Sequence, residues 1–217
     1  MQAACNGACA VVAPVPWFRI VLGEPIVDRR TKRREATRQE IVEAAWGLAR
    51  ENGLAGVSLR DLGKRVGMQA PSLYSYFPSK AAIYDAMFSE GTRAFVERLR
   101  TLDVPRDPKR RLLSSARAFA QFCVEDPVRY QLLFQRTIPH FEPSAENYAA
   151  AITTLDLGRD VLASAGITDA ASVDLWTALL TGIVDQQLSN DPGGQRWTRL
   201  LPDAVDMFLA HSRRGRR

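Results

Sequence analysis

From Thr37 onward the apolar residues of this 217-residue chain recur at helical spacing, and no alternating β-branched run bounded by turn residues competes with them. The pattern predicts an all-α fold. Thr37 and Glu40 read as a T-x-x-E capping box opening a first helix that buries Ile41, Ala45 and Leu48 and stops at Gly53. Ser58 with Asp61 opens a second helix, with Leu59, Leu62 and Val66 inward and Gly67 as its stop. Pro71 suits the first turn of a third helix, which Pro78 forces to end by Phe77. Ser79 caps a long fourth helix carrying Ile83, Met87, Ala94 and Leu99 inward, and the break at Asp103-Val104-Pro105 marks a boundary. Further helices are expected at about 108–124, 127–136, 145–165, 169–190 and 196–211, the last kinked or delayed by Pro202.

Two short helices joined by Gly67-Met68-Gln69 and packed on a longer one have the dimensions of a helix-turn-helix, whose second helix enters the DNA major groove. The predicted third helix presents Gln69, Ala70, Ser72, Ser75 and Tyr76, small or hydrogen-bonding groups that let backbone and side chains approach base edges, while Leu73 faces inward. Arg60 is placed to reach guanine. Ser58, Tyr74, Tyr76 and Lys80 suit phosphate oxygens, and the start of the fourth helix adds free N–H groups beside Lys80. Each of these residues singly has an ordinary structural role available, as core aromatic or solvated charge. A structural bundle, however, needs no glycine turn beside a Pro-started, side-chain-poor helix.

Charge sharpens the division. Residues 28–80 hold eleven Lys/Arg against six Asp/Glu, residues 81–212 hold thirteen against seventeen, and the last five residues add four Arg. A basic segment beside an acidic body suits a polyanion-binding head on a body with another task. The arm Arg29-Arg30-Thr31-Lys32-Arg33-Arg34 could follow the backbone or minor groove. Residues 1–27 have no periodicity and are expected to be disordered, an extension that a start at Val27 would omit.

The run Ser58-Leu-Arg-Asp-Leu-Gly-Lys-Arg-Val-Gly67, followed by Ala70-Pro-Ser-Leu-Tyr-Ser-Tyr-Phe-Pro-Ser-Lys80, resembles the DNA-binding domain of the tetracycline-repressor (TetR) family over about Thr37 to Met87. Gly63 and Val66 stand where that family more often has alanine. The resemblance implies groove or phosphate roles for Arg60, Gln69, Ala70, Pro71, Ser72, Tyr74, Tyr76 and Lys80. It implies a homodimer on double-stranded, palindromic operator DNA, acting as a repressor that a small-molecule effector releases. An activator of the same fold, or a non-specific DNA-compacting protein, is the alternative. The organisation then reads as a disordered basic extension at 1–35 and a three-helix helix-turn-helix domain at 36–82. A connecting helix at 83–103 leads to a C-terminal helical ligand-binding and dimerisation domain at 104–212 and a basic tail at 213–217.

In that body Phe119, Phe122, Cys123, Tyr130, Phe134, Tyr148 and Trp176 supply apolar surface for a cavity suited to a mostly apolar effector, with core packing as their competing role. Leu179, Ile183, Val205 and Phe208 mark two broadly apolar helices expected to pair across a two-fold axis. No catalytic constellation surrounds either histidine, His140 or His211, so no enzyme and no cofactor are expected. His140 reads as a loop residue. Cys5 and Cys9 lack two further ligands for a metal, and three cysteines fit a reducing compartment. The apolar run Ala8–Val15 has no basic lead and is too short to span a bilayer, so the expected location is cytoplasmic with no membrane partner.

Overall fold

The computed structural model describes residues 29–103 and 105–214, with the side chains of residues 70 and 214 outside that description. The expectations for residues 1–27, for Cys5 and Cys9, for Val104 and for residues 215–217 therefore lie outside the described residues. Among the described residues there are nine α-helices and no strand. They are α1 Arg29–Asn52, α2 Leu59–Arg65, α3 Ala70–Leu73, α4 Lys80–Arg100, α5 Pro108–Glu125, α6 Pro127–Phe134, α7 Ala145–Ser164, α8 Ala170–Asn190 and α9 Leu201–Arg214. No helix among them is long and apolar enough to cross a membrane.

Local chemistry explains most of the boundaries. Six helices start on a Ser or Asp whose side chain accepts a backbone N–H three residues on: Ser58, Ser79, Asp107, Asp126, Ser144 and Asp169. Gly53 and Gly67, with φ of 73° and 67°, turn the chain after α1 and α2 through the left-handed region that side chains disfavour. Pro71 sits in the first turn of α3 as expected, although α3 is regular only to Leu73. The following turns continue it, with the N–H groups of Tyr76 and Phe77 donating to the Leu73 carbonyl. The turn between α8 and α9 is built around Gln187, which is 1% exposed. Its Nε2 donates to the Asp191 carbonyl, and its Oε1 accepts the N–H groups of Trp197 at 2.9 Å and Thr198 at 3.2 Å.

Several expectations need correction. Thr37 does not cap α1, which already begins at Arg29; its hydroxyl donates to the Arg33 carbonyl inside the helix. Residues 29–35 are thus helical rather than disordered, because Arg and Lys propagate a helix readily and no breaker separates them from Thr37. On α4 Ile83 and Met87 are inward as expected, but beyond them the buried positions are Phe88, Gly91, Thr92 and Phe95, and Ala94 faces solvent. Pro202 delays α9 to Leu201 rather than kinking it. His140 does lie in a turn, with φ of 59°.

From Arg38 onward the chain forms one unit, and residues 29–37 count separately. That unit holds two apolar clusters. The first gathers Ile41, Ala45 and Trp46 of α1, Leu62, Leu73 and Phe77, then Ile83 and Met87 of α4. The second gathers Phe95, Leu112, Phe122, Tyr130, Leu162, Trp176, Val184, Val205 and Phe208. The expected boundary between head and body is bridged: α4 contributes to both clusters, and Leu132 of α6 is buried in the first.

Candidate nucleic-acid interface and effector cavity

Leu73 and Phe77, 0% and 1% exposed, pin the α3 turn to the head. With those two residues inward, the opposite face presents Gln69, Pro71, Ser72, Tyr74 and Ser75 to solvent. Tyr74 is 53% exposed, a large aromatic that the described residues leave half open to solvent. The backbone of residue 70 lies in α3, and its side chain is outside the described residues. Arg60 points outward with 80% of its side chain exposed, and its nearest anionic neighbour is Asp61 at 3.7 Å. Ser58 is more heavily engaged than the sequence suggests. Its hydroxyl donates to Asp61 Oδ2 at 2.6 Å and accepts from Asp61 N at 3.1 Å, which suits a capping role over a phosphate role. That hydrogen bond, assisted by Arg60 and Lys64, holds the Asp61 carboxyl below the usual range.

Tyr76 is half-buried, and its carbonyl accepts from Arg38 Nη1 at 2.5 Å. The Arg38 guanidinium also lies 4.2 Å from the Phe77 ring centroid. Arg38 therefore clamps the end of the recognition segment to α1, a role the sequence reading missed; the only clue was its position three residues ahead of Ile41 on the inward stripe. Lys80 Nζ donates to the Ala55 carbonyl at 3.2 Å and lies 5.3 Å from the Tyr84 ring. An ammonium has three donors, so Lys80 keeps hydrogens for a phosphate while fixing the turn before α2.

Behind the head a cavity of about 1140 Å³ opens among α4, α5, α6, α7 and α8. That exceeds the roughly 300–1,000 Å³ of ordinary small-molecule sites. Phe88 and Phe95 of α4, Phe119 of α5, Leu133 and Phe134 of α6 and Trp176 of α8 form its apolar wall. Phe95, Phe119 and Phe134 meet edge-on at 5.3 to 6.0 Å between centroids. From α7, Tyr148, Ile152 and Leu155 face the space, each at least 39% exposed. Spaced four and three residues apart, they form an apolar stripe along α7.

Of the expected cavity residues, Phe119, Phe134, Tyr148 and Trp176 do line it. Phe122, Cys123 and Tyr130 do not. They are buried one layer behind, in the core between α5, α6 and α8. Burial pushes the Cys123 thiol up, leaving a poor nucleophile. The Tyr130 hydroxyl donates to Asp185 Oδ1 at 2.8 Å, and Gln135 Nε2 donates to the same oxygen at 2.8 Å. At its other end α6 is capped by Asp126, whose Oδ2 pairs with Arg50 of α1 at 2.7 Å. Helix α6 is thus tied to the head, to the cavity and to α8.

The residues expected at a dimer interface fall mainly inside the chain. Ile183, Val205 and Phe208 are 8%, 0% and 2% exposed, with the Phe208 ring 4.9 Å from that of Trp176, and Leu179 packs against the same core. The solvent-facing apolar groups of these helices are instead Leu175 and Met207, with Ala178 and Gly182 beside Leu175 on α8. Among the described residues no group of three or more His, Cys, Asp or Glu is arranged to hold a metal ion.

Residues 41–87, from the inward face of α1 to the middle of α4, match the family model described as bacterial regulatory proteins, tetR family. The chain is 28% identical over 183 residues to the class A tetracycline repressor protein from transposon 1721 of Escherichia coli, covering 77% of this chain and 79% of that one. It is 30% identical to an HTH-type transcriptional regulator of Bacillus subtilis over 44% of this chain and half of that relative's length. Among solved structures, a tetR-family transcriptional regulator from Streptomyces coelicolor superposes with a TM-score of 0.63 at 21% identity, over 81% of this chain and 80% of that one. A TetR variant from Acinetobacter baumannii in complex with minocycline gives 0.54 at 19% identity, over 88% and 98%. These structures share the fold. With the family match lying on the helices that build the exposed α3 face, residues 41–87 form a DNA-binding helix-turn-helix domain of the kind found in bacterial regulatory proteins of the tetR family.

Proposed function

We propose that two copies of the chain bind a palindromic operator as a repressor and that a small molecule in the α4–α8 cavity releases them. The observation that carries this reading is the double membership of α4. Ile83, Met87 and Phe88 belong to the core under the helix-turn-helix, Phe88 also lines the cavity, and over the next three turns Thr92, Phe95 and Leu99 line it too. A molecule that repacks the second group moves a rigid element shared with the first. The Escherichia coli relative is a repressor and the Acinetobacter structure holds minocycline, which supports the same reading.

In this scheme Gln69, Ala70, Pro71, Ser72, Tyr74 and Ser75 meet the major groove with Arg60, and Tyr76 and Lys80 hold phosphates. Ser58 fixes α2. A two-fold dimer sets its recognition segments about 34–36 Å apart, one turn of the duplex, so the operator is palindromic. The dimer contact uses Leu175, Ala178 and Gly182 of α8 with Met207 of α9, which extends the expected α8–α9 pairing to the faces that the protomer leaves uncovered.

The test is a mobility shift with the intergenic DNA flanking the gene, at two salt concentrations, with the parent chain and with Arg60→Ala plus Tyr74→Ala. Selective, salt-sensitive binding that the double variant loses supports the reading. Equal binding to scrambled duplex would overturn it. A reporter driven by the bound promoter gives the sign, since deletion of the gene raises its output under repression and lowers it under activation.

A further inference from the structure

The cavity wall is polarised along α5. Its lining positions read Arg111, Ser114, Ser115 and, one turn past Ser115 and two past Arg111, Phe119. Polar groups thus occupy the end next to the α4–α5 loop, and Phe119 of the aromatic cluster lies about 12 Å along the helix from Arg111 at 1.5 Å per residue. Charged residues occur elsewhere in the lining, but all of them except Arg111 are exposed at the rim. Arg111 is the half-buried exception. Its Nε donates to the Pro105 carbonyl at 3.2 Å, which orients the guanidinium. Among the described residues no carboxylate lies within 4.0 Å of it. Arg159, by contrast, is an exposed lining arginine already paired with Asp156 at 3.0 Å.

A cation withdrawn from water beside an apolar space, oriented and without an anionic neighbour, favours an anion brought by the occupant. We propose that the effector is an amphipathic monocarboxylate. Its carboxylate takes the terminal amino groups of Arg111 with the Ser114 and Ser115 hydroxyls alongside, and its apolar body lies against Phe119 and Phe95. The planar fork of arginine fits a carboxylate in a two-point contact. One such cation balances one negative charge, which disfavours a dianionic head. A cationic effector would set its charge against Arg111 with no withdrawn acid to receive it, and a neutral one would leave the guanidinium unmatched. This inference rests on the reading of the cavity as the effector site, and its test separates the two.

The full chain is loaded with the neutral fluorescent probe N-phenyl-1-naphthylamine, which is then displaced by dodecanoate, dodecanol and dodecyltrimethylammonium, each below its micelle concentration. Dodecanoate is expected to displace the probe at a concentration at least about tenfold lower than either other amphiphile, a difference of about 1.4 kcal/mol. Arg111→Gln should erase that preference while leaving dodecanol and probe binding unchanged, and Arg111→Lys should restore part of it. If the probe binds but the three amphiphiles displace it alike, or Arg111→Gln keeps the preference, the carboxylate assignment is wrong and the cavity reading stands. If the probe does not bind at all, the cavity reading fails and takes this inference with it. The comparison of amphiphiles on the parent chain needs no variant, so a misfolded Arg111→Gln leaves the proposal open to refutation.

Discussion

Replacing Tyr130 by Phe removes one oxygen from a buried site and leaves the ring in place. Tyr130 is 2% exposed, and its ring packs 5.8 Å from Phe134. The phenol donates a single bond to Asp185 Oδ1 at 2.8 Å, so the variant forfeits one hydrogen bond to a carboxylate oxygen and creates no cavity. Bonds to charged groups contribute roughly 1.5–3 kcal/mol. Gln135 continues to serve the same oxygen at 2.8 Å and Asp185 is only half-buried, so the expected loss is at the low end, about 1.5 kcal/mol. For a chain of this size that lowers Tm by about 3–6 °C. The loss has a pH signature. Burial and the adjoining Asp185 push the Tyr130 phenol above its ordinary value. A phenol whose folded value is raised contributes stability in full below about pH 10 and loses it as pH climbs from there toward the folded value. Cys123, raised by burial, adds a loss of the same sign starting from about pH 8.5. Guanidinium denaturation at fixed protomer concentration, run at neutral and strongly alkaline pH in a Cys123→Ala background, isolates the phenol. Parent and Tyr130→Phe lying within about 0.5 kcal/mol at neutral pH, with equal alkaline losses, would refute the claim that this bond joins α6 to α8.

Leu73→Ala opens a void under the recognition segment at a fully buried site and is expected to cost about 2–5 kcal/mol, with operator binding lost at temperatures where the rest of the chain still melts cooperatively; parallel denaturation and mobility-shift curves check it. Asp126→Ala removes both the α6 cap and the partner of Arg50, so it should cost about 1–2 kcal/mol, whereas Arg50→Gln, at a half-exposed group, should cost less than about 1 kcal/mol. A double-mutant cycle measures the difference, and an Arg50 effect larger than the Asp126 effect would contradict the assigned cap. Met207→Asp places a charge on the 61%-exposed apolar group of α9. It should shift sedimentation toward a lighter species with the thermal melt of the protomer little changed, and unaltered sedimentation would move the dimer contact elsewhere.

What the sequence revealed and what it hid follow a physical division. Helix stops at Gly53 and Gly67, the Ser58 and Ser79 caps and the Pro71 start were legible because each is a local requirement of backbone geometry. The Thr37–Glu40 pattern misled because a capping sequence also occurs inside helices, and only the absence of a breaker back to Arg29 distinguishes the two cases. On α8 and α9 the apolar stripe was broad enough to serve both core and partner. Periodicity gave its existence but not its phase, so Ile183, Val205 and Phe208 were assigned outward although they are buried, while Leu175 and Met207 went unnoticed. The cavity posed a harder problem, because empty space depends on how far helices stand apart. Phe119 lines it while Phe122 and Cys123 back it, a difference of one turn on α5. Arg38 and Arg111 were invisible for the reason that most long-range contacts are: nothing near them in the chain names Tyr76 or the cavity.

The wiring around α6 constrains how an effector could act. A hundredfold loss of operator affinity requires about 2.7 kcal/mol of coupling between cavity and DNA. The Arg50–Asp126 pair is half-exposed on the Arg50 side, so the pair can supply at most about 1 kcal/mol, and the Tyr130–Asp185 bond about 1.5 kcal/mol. Neither tie alone carries the switch. Besides Leu132 in the head core, a steric contact joins the two helices: a Cβ on Gly91 of α4 would stand 3.2 Å from both methyls of Leu133, so α4 and α6 meet there closely. Leu133 also lines the cavity, and a molecule that displaces it moves this close contact between the two helices. Coupling spread over this seam and both polar ties predicts that Arg50→Gln and Tyr130→Phe each weaken the response to an effector without abolishing it. Enlargement of the seam residue by Gly91→Val should bias the head even in the empty protein.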